Sequence, residues 1–212
     1  MGKLFINNAL KAPNVLEIKF DFNLIKYLME EINKDDLHTT SPSWNSNIKW
    51  ISNNSFRSYS VFYECFNKLQ LSKIFQQFVE YNKKIILYSG FFVSRSTCSD
   101  FNFHQDWIPE CQNNAFTLIA PLIHPKDGIN LIYKDIDRKE RKYKYEVGKG
   151  IVFGSDFIHS TDKGISTSPS VLLSMTFGTD KMNLWEPISK TALNQGNLVR
   201  LPNGNFVNHS FD

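Results

Sequence analysis

The sequence is short of the features that mark several large classes. It holds three cysteines, Cys65, Cys98 and Cys111, an odd number with no CxxC spacing. They read as reduced thiols of a cytoplasmic protein and argue against a disulfide framework. No apolar run approaches the roughly 18 residues of a membrane span, so no membrane partner is expected. The start, Met1-Gly2-Lys3-Leu4-Phe5, lacks a long apolar core and a small-residue cleavage site, so no signal peptide is expected. Gly2 carries no myristoylation signal, because Ile6 stands where Ser or Thr is needed. Charge of either sign is not in excess. A net +3 suits a small acidic ligand, but there is no concentrated basic stripe of the kind that binds nucleic acid. No internal repeat is visible.

What is present is a core. Of 212 residues, 42% are hydrophobic and 14% aromatic, which excludes disorder and fits one domain with an N-terminal elaboration.

Chemistry concentrates in two stretches. In Phe103-His104-Gln105-Asp106-Trp107, His104 and Asp106 are two apart, so in an extended chain both leave the same face. The second stretch is Gly150-Ile151-Val152-Phe153-Gly154-Ser155-Asp156-Phe157-Ile158-His159, an apolar run ending in a histidine 53 positions beyond Asp106. Two imidazoles and one carboxylate form the facial triad that suits non-haem Fe(II) and leaves positions open. Cys98 and Cys111 flank the first stretch, but such a site takes N and O ligands. The plain alternative is that both histidines are polar core residues.

This pattern, His-x-Asp and then a Gly-x-x-Val-Phe-type strand ending in His, resembles the Fe(II)- and 2-oxoglutarate-dependent oxygenases across roughly residues 84–180. The resemblance implies a double-stranded β-helix, a cupin-type jelly-roll barrel with N-terminal helices bracing one sheet. It implies that His104, Asp106 and His159 are the catalytic metal ligands. 2-Oxoglutarate would take two of the remaining positions and O2 the last, giving succinate, carbon dioxide and an oxidised C–H bond. Halogenating relatives lack the carboxylate, so Asp106 favours hydroxylation or a related oxidation.

Taken in order, the chain predicts a strand over 15–22, an amphipathic helix over 23–33 and a loop over 35–54 that holds His38, Trp44 and Trp50. A helix is expected over 62–69, and a second one capped by Ser72 with Ile74, Phe75, Phe78, Val79 and Tyr81 on its buried side. Strands follow over 85–94, at the His-x-Asp motif, and over 115–123, 130–135, 151–153 and 171–177. A polar link spans 96–100. His124-Pro125-Lys126-Asp127-Gly128 is a turn, with His124 exposed. The charge run 137–144 is a solvated hairpin, or else a patch for an acidic partner. Asn203-Gly204 signals a hairpin within 198–207. The expected division is an α-rich 1–84, a barrel core 85–180 and an extension 181–212 that carries this hairpin.

One departure from the family pattern concerns the co-substrate. Pro169-Ser170-Val171 stands where Pro-Arg-Val is usual, and the last strand has no cation. A buried carboxylate without a cation or several hydrogen bonds is costly. Arg95 and Lys134 are the candidate anchors. Arg95 is preferred, because the first barrel strand lies beside the last in this family and a guanidinium grips a carboxylate through two parallel bonds. Ser170 or Thr117 would add a hydroxyl. Trp107, Asn113 and Asn114 are the candidate substrate contacts, and the substrate is expected to be a small molecule such as an amino acid, peptide or secondary metabolite. Two other readings stay open: a cupin-like metalloenzyme that does not use 2-oxoglutarate, and a catalytically silent binding module. The oligomeric state is not specified by the sequence.

Overall fold

The computed structural model describes residues 5–19, 21–31, 37–41 and 47–208. The chain opens with a short ladder of β1 (Ile6–Asn7) and β2 (Ala12–Pro13), followed by β3 (Val15–Lys19). Helix α1 (Phe22–Glu31) matches the expected amphipathic segment. The next stretch is not a loop. It contributes β4 (Leu37–Thr40) and β5 (Ile48–Asn53), which pair antiparallel with each other. Polar residues conceal them in the sequence: β4 is an edge strand, and β5 buries Ile48 while leaving Lys49 exposed. Trp44 lies outside the described residues.

Helix α2 (Phe56–Lys68) starts at a capping box in which Ser55 and Ser58 bond each other's backbone and side chains. Helix α3 (Leu71–Phe75) is shorter than expected. Its cap is Gln70, in the left-handed region at φ 53°, not Ser72, and Tyr81 is exposed. β6 (Ile86–Cys98) runs on into the expected polar link, as far as Cys98. β7 (Ala115–Ile123), β8 (Leu131–Lys134), β9 (Glu140–Tyr143), β10 (Lys149–Phe153), β11 (His159–Thr161) and β12 (Gly164–Gly178) complete the sheets. The charge run is the β8–β9 hairpin, with Arg141 paired to Asp135 and Lys142 to Asp162. After β12 comes α4 (Trp185–Ala192), then the hairpin of β13 (Leu198–Arg200) and β14 (Phe206–Asn208), turned by Gly204 at φ 92°.

Seven strands form one antiparallel sheet in the order β3-β10-β7-β12-β6-β5-β4, and a second sheet runs β11-β8-β9. Neither sheet closes on itself. The large sheet takes strands from the first 84 residues as well as from the expected core.

Side-chain alternation explains how that sheet serves two purposes. On β12, Leu173, Met175 and Phe177 face the helices, while Leu172 and Ser174 face the opposite side, where a cavity lies. On β7, Phe116 and Leu118 face the helices, and Thr117 and Ile119 the cavity. Tyr88 is an extra residue against β12, so the alternation of β6 reverses there. Leu87 and Phe92 both join the helix-side core, leaving Phe91, Val93 and Arg95 on the cavity side. Phe62, Phe66 and Phe75 fill the helix side, each fully or almost fully buried and stabilising by roughly 1.5–3 kcal/mol. Helix α2 lies so close that a Cβ at Gly90 would stand 2.1 Å from the Phe62 ring. A second core, around Tyr133, Tyr143, Phe153 and Phe157, joins the small sheet to the large one. Among the described residues, no helix is long and apolar enough to cross a membrane.

Candidate metal centre and its cavity

His104 and His159 are cross-strand neighbours. His104 N donates to His159 O at 2.9 Å, and His159 N donates back to His104 O at 3.0 Å. Directly opposed residues of an antiparallel pair project on the same side, and the two rings have centroids 4.6 Å apart. Asp106, two residues on, brings Oδ1 to 3.5 Å from His104 Nε2 and 3.7 Å from His159 Nε2. Among the described residues this is the one cluster of three potential ligands, with donor atoms within 4.8 Å of one another.

Each imidazole is oriented from behind. His104 Nδ1 lies 2.6 Å from Asn102 O, and His159 Nδ1 lies 3.2 Å from Phe157 O. A carbonyl only accepts, so Nδ1 carries a hydrogen in both rings; Nε2 faces Asp106, donating to it when the ring is protonated and presenting a lone pair when the ring is neutral. Ligand atoms about 2.1 Å from a common ion lie roughly 3 Å apart at right angles, so the two Asp106–histidine spacings of 3.5 and 3.7 Å need only a small contraction to share one ion. Two nitrogens, one carboxylate and an open side fit Fe(II).

The carboxylate is held as firmly. Thr117 Oγ1 donates to Asp106 Oδ2 at 2.9 Å and accepts from Trp107 Nε1 at 3.0 Å. Thr191 on α4 donates its hydroxyl to the Asp106 carbonyl. Burial alone would raise the Asp106 pKa. Hydrogen bonding to His104, the nearby His159 and the Thr117 hydroxyl more than offset it and hold the carboxyl below its usual range. The bond to Asp106 raises the His104 pKa, whereas burial lowers that of His159. The metal-free centre therefore favours an ionised carboxylate beside a neutral inner imidazole.

The cluster opens into a cavity of about 480 Å³. Arg95 lines it, and the sheet register sets Arg95 directly opposite Ser170. Its guanidinium donates to Thr161 Oγ1 at 2.8 Å and to Thr97 O at 3.1 and 3.3 Å. Lys134 is not brought to the cavity. It pairs with Glu140 at 2.7 Å and sits over the Phe103 ring. Ser170 Oγ is engaged by His124 Nδ1 at 3.0 Å and does not line the cavity; His124 is half-buried rather than exposed. Thr117 lines the cavity, but its hydroxyl is committed to Asp106.

The expected substrate contacts lie elsewhere. Trp107 alternates away from Asp106 and is fully buried with Ile86, Tyr88 and Ile188. Asn113 and Asn114 are also buried. Asn114 Oδ1 accepts from Glu80 N, and its carbonyl accepts from Thr179 N, which ties the ends of strands together. The residues that do line the cavity and were not anticipated include Trp50 and Phe91, together with Lys190, Thr191, Asn194 and Gln195 of α4 and the turn after it. A signal for α4 exists in Trp185, Ile188 and Ala192 at helical spacing, with Pro187 in the first turn, where proline is tolerated.

The sequence matches no protein-family model and no curated protein. Similarity lies in the fold. HygX from Streptomyces hygroscopicus, solved with nickel and 2-oxoglutarate bound, aligns at TM-score 0.64 and 11% identity over 82% of this chain and 88% of its own. The non-haem α-ketoglutarate-dependent epimerase SnoN from nogalamycin biosynthesis aligns at 0.61 and 7% identity, over 79% of this chain and 77% of its own. A Pseudomonas putida prolyl-4-hydroxylase aligns at 0.55 and 16% identity, over 78% of this chain and 92% of its own. With identities this low, the likeness establishes that the chain folds as these proteins do.

Proposed function

We propose that the protein is an Fe(II)- and 2-oxoglutarate-dependent dioxygenase that hydroxylates or otherwise oxidises a C–H bond of a small molecule. The observation that carries this reading is the pair of imidazoles joined by reciprocal backbone bonds, with each Nδ1 on a carbonyl and each Nε2 turned to Asp106, in a cavity that also contains Arg95. The nickel- and 2-oxoglutarate-bound neighbour has the same fold. We read the two sheets as the halves of a double-stranded β-helix jelly-roll, and the 212 residues as a single domain.

His104, Asp106 and His159 would hold the iron, which with 2-oxoglutarate and O2 supplies oxidation of a C–H bond coupled to decarboxylation of the co-substrate to succinate. The chain's own part is positioning. The carbonyls of Asn102 and Phe157 keep both Nε2 lone pairs free. Thr117 and Thr191 hold Asp106 from its carboxylate and its carbonyl. Arg95 takes the distal carboxylate of 2-oxoglutarate. Thr161, its partner, is two residues from His159 on the same face of β11, about 7 Å by strand rise, a separation that suits a five-carbon dicarboxylate. Leu131, Ile119 and Leu172 line the remaining walls and exclude water.

Anaerobic addition of Fe(II) and 2-oxoglutarate should produce a weak visible charge-transfer band, and oxygen should then release succinate. His159→Ala should abolish both. Absence of the band together with no calorimetric binding of 2-oxoglutarate refutes the reading.

A further inference from the structure

The cavity holds more chemistry than a five-carbon co-substrate uses. Arg95 closes one end of the cavity face of β6. Four residues back, roughly 13 Å by strand rise, Phe91 stacks on Trp50 of β5 with centroids 5.1 Å apart and planes 2° from parallel. That pair is a flat apolar slab. The turn after α4 is fastened beside it, because Asn197 N donates to Ser52 Oγ at 3.3 Å and Asn53 Nδ2 donates to Leu198 O at 2.9 Å. Gln195 is thereby set at the slab end of the cavity. Its Oε1 is buried with no hydrogen-bond partner, an arrangement that costs stability and that a turn of the terminal amide toward a donor in the cavity relieves.

Lys190 completes this wall. Its ammonium pairs with Glu186 at 3.1 Å, but the two side chains are 60% and 80% exposed. Such a pair contributes little and yields readily to a better partner. Charge points the same way. With the centre loaded, Fe(II) and Arg95 balance Asp106 and dianionic 2-oxoglutarate. Among the described lining residues, Lys190 is the formal charge left over.

We infer that Trp50, Phe91, Lys190 and Gln195 form the substrate subsite, and that it takes a small carboxylic acid with a flat apolar body and an N–H donor. The body lies on the Trp50–Phe91 slab, the carboxylate meets Lys190 and the N–H meets Gln195 Oε1. This rests on the dioxygenase reading for the identity of the co-substrate, not for the subsite's own chemistry.

The test is calorimetric titration of the full chain loaded with Ni(II) and 2-oxoglutarate, so that nothing turns over. The probes are N-acetyl-L-phenylalanine, its neutral amide, and 3-phenylpropanoate, which keeps the acid and loses the N–H. The acid should bind about tenfold tighter than the amide, and Lys190→Met should erase that ratio. Gln195→Leu should erase the advantage of the N-acetyl acid over 3-phenylpropanoate, and Trp50→Leu should weaken all three probes. 2-Oxoglutarate affinity, titrated first, should be unchanged in each variant. An amide that matches the acid, a ratio that survives Lys190→Met, loss of the ratio in Arg95→Met instead, or no binding of any probe overturns the inference. Failure of the dioxygenase reading shows separately, as no binding of 2-oxoglutarate. The same probes titrated against the metal-free chain then still decide the subsite.

Discussion

Replacing Thr117 with valine removes one hydroxyl from the cavity floor and keeps the outline of the side chain. That hydroxyl makes two buried hydrogen bonds, donating to Asp106 Oδ2 at 2.9 Å and accepting from Trp107 Nε1 at 3.0 Å. Two separable losses follow. The carboxylate loses a bond that orients it between His104 and His159, and outer partners of this kind are worth about 10–100-fold in metal affinity. The indole N–H of fully buried Trp107 loses its acceptor, which costs about 1–3 kcal/mol of stability. For a chain of this size each kcal/mol moves Tm by about 2–4 °C, so the expected fall is roughly 2–12 °C. Anaerobic calorimetry with Fe(II) measures the first loss and scanning calorimetry the second. Trp107→Phe is the control. It deletes the indole donor and leaves the Thr117–Asp106 bond, so metal affinity should hold while packing suffers. In the double variant no N–H is stranded, and Thr117→Val should cost less stability there than in the parent. Parental metal affinity in Thr117→Val, or an equal loss in Trp107→Phe, would show that Asp106 is placed by packing and not by this relay.

Other expectations are as direct. Arg95→Met should weaken 2-oxoglutarate binding by about 2–5 kcal/mol with metal stoichiometry intact, whereas Lys134→Ala, which loses a pairing with Glu140 and a contact with the Phe103 ring outside the cavity, should leave both unchanged by calorimetry. Asp180 accepts from the backbone N–H groups of Asn82, Lys83 and Lys84 at 2.6, 2.7 and 3.1 Å. Burial raises its pKa, but these bonds outweigh burial and lower it below the usual range. Its contribution is therefore complete above the unfolded value near 3.9 and is lost as pH falls through the lower folded value. Asp180→Asn should cost about 1–2 kcal/mol at neutral pH, and the difference in thermal midpoint should shrink below that range. Gly90→Ala should destabilise by about 1–3 kcal/mol through overpacking on Phe62, read by chemical denaturation.

How much of this was legible in the sequence depended on periodicity. β7 is apolar on both faces and bounded by turn residues, so its limits could be read directly. The juxtaposition of Arg95 and Ser170 followed from expecting the first and last barrel strands to be neighbours, and the register pairs those two residues. β4 and β5 were hidden because the sheet rim is compatible with polar residues; β5 takes its strand character from pairing with β6, and β4, at the edge, from pairing with β5. Trp107 and the two asparagines were misjudged for a related reason. Beside a motif, a large or amide side chain reads as a ligand contact, yet none of the three lines the cavity, and Trp107 and Asn114 satisfy buried partners. The α4 wall was only faintly marked, because eight residues make a weak periodic signal and tertiary contact alone sets them over the centre.

The reciprocal bonds between the His104 and His159 backbones form an isolated bridge outside the regular ladders. Two hydrogen bonds without flanking rungs open at lower cost than the interior of a sheet. Both amides are donors in that bridge, so each exchanges with solvent only when the bridge parts. An ion held by the two imidazoles ties the same strands together through their side chains, and strand separation and ion release then become one event. Deuterium uptake at these two amides should consequently track metal dissociation, slowing together on loading while the amides of β12, paired on both sides, exchange independently of it.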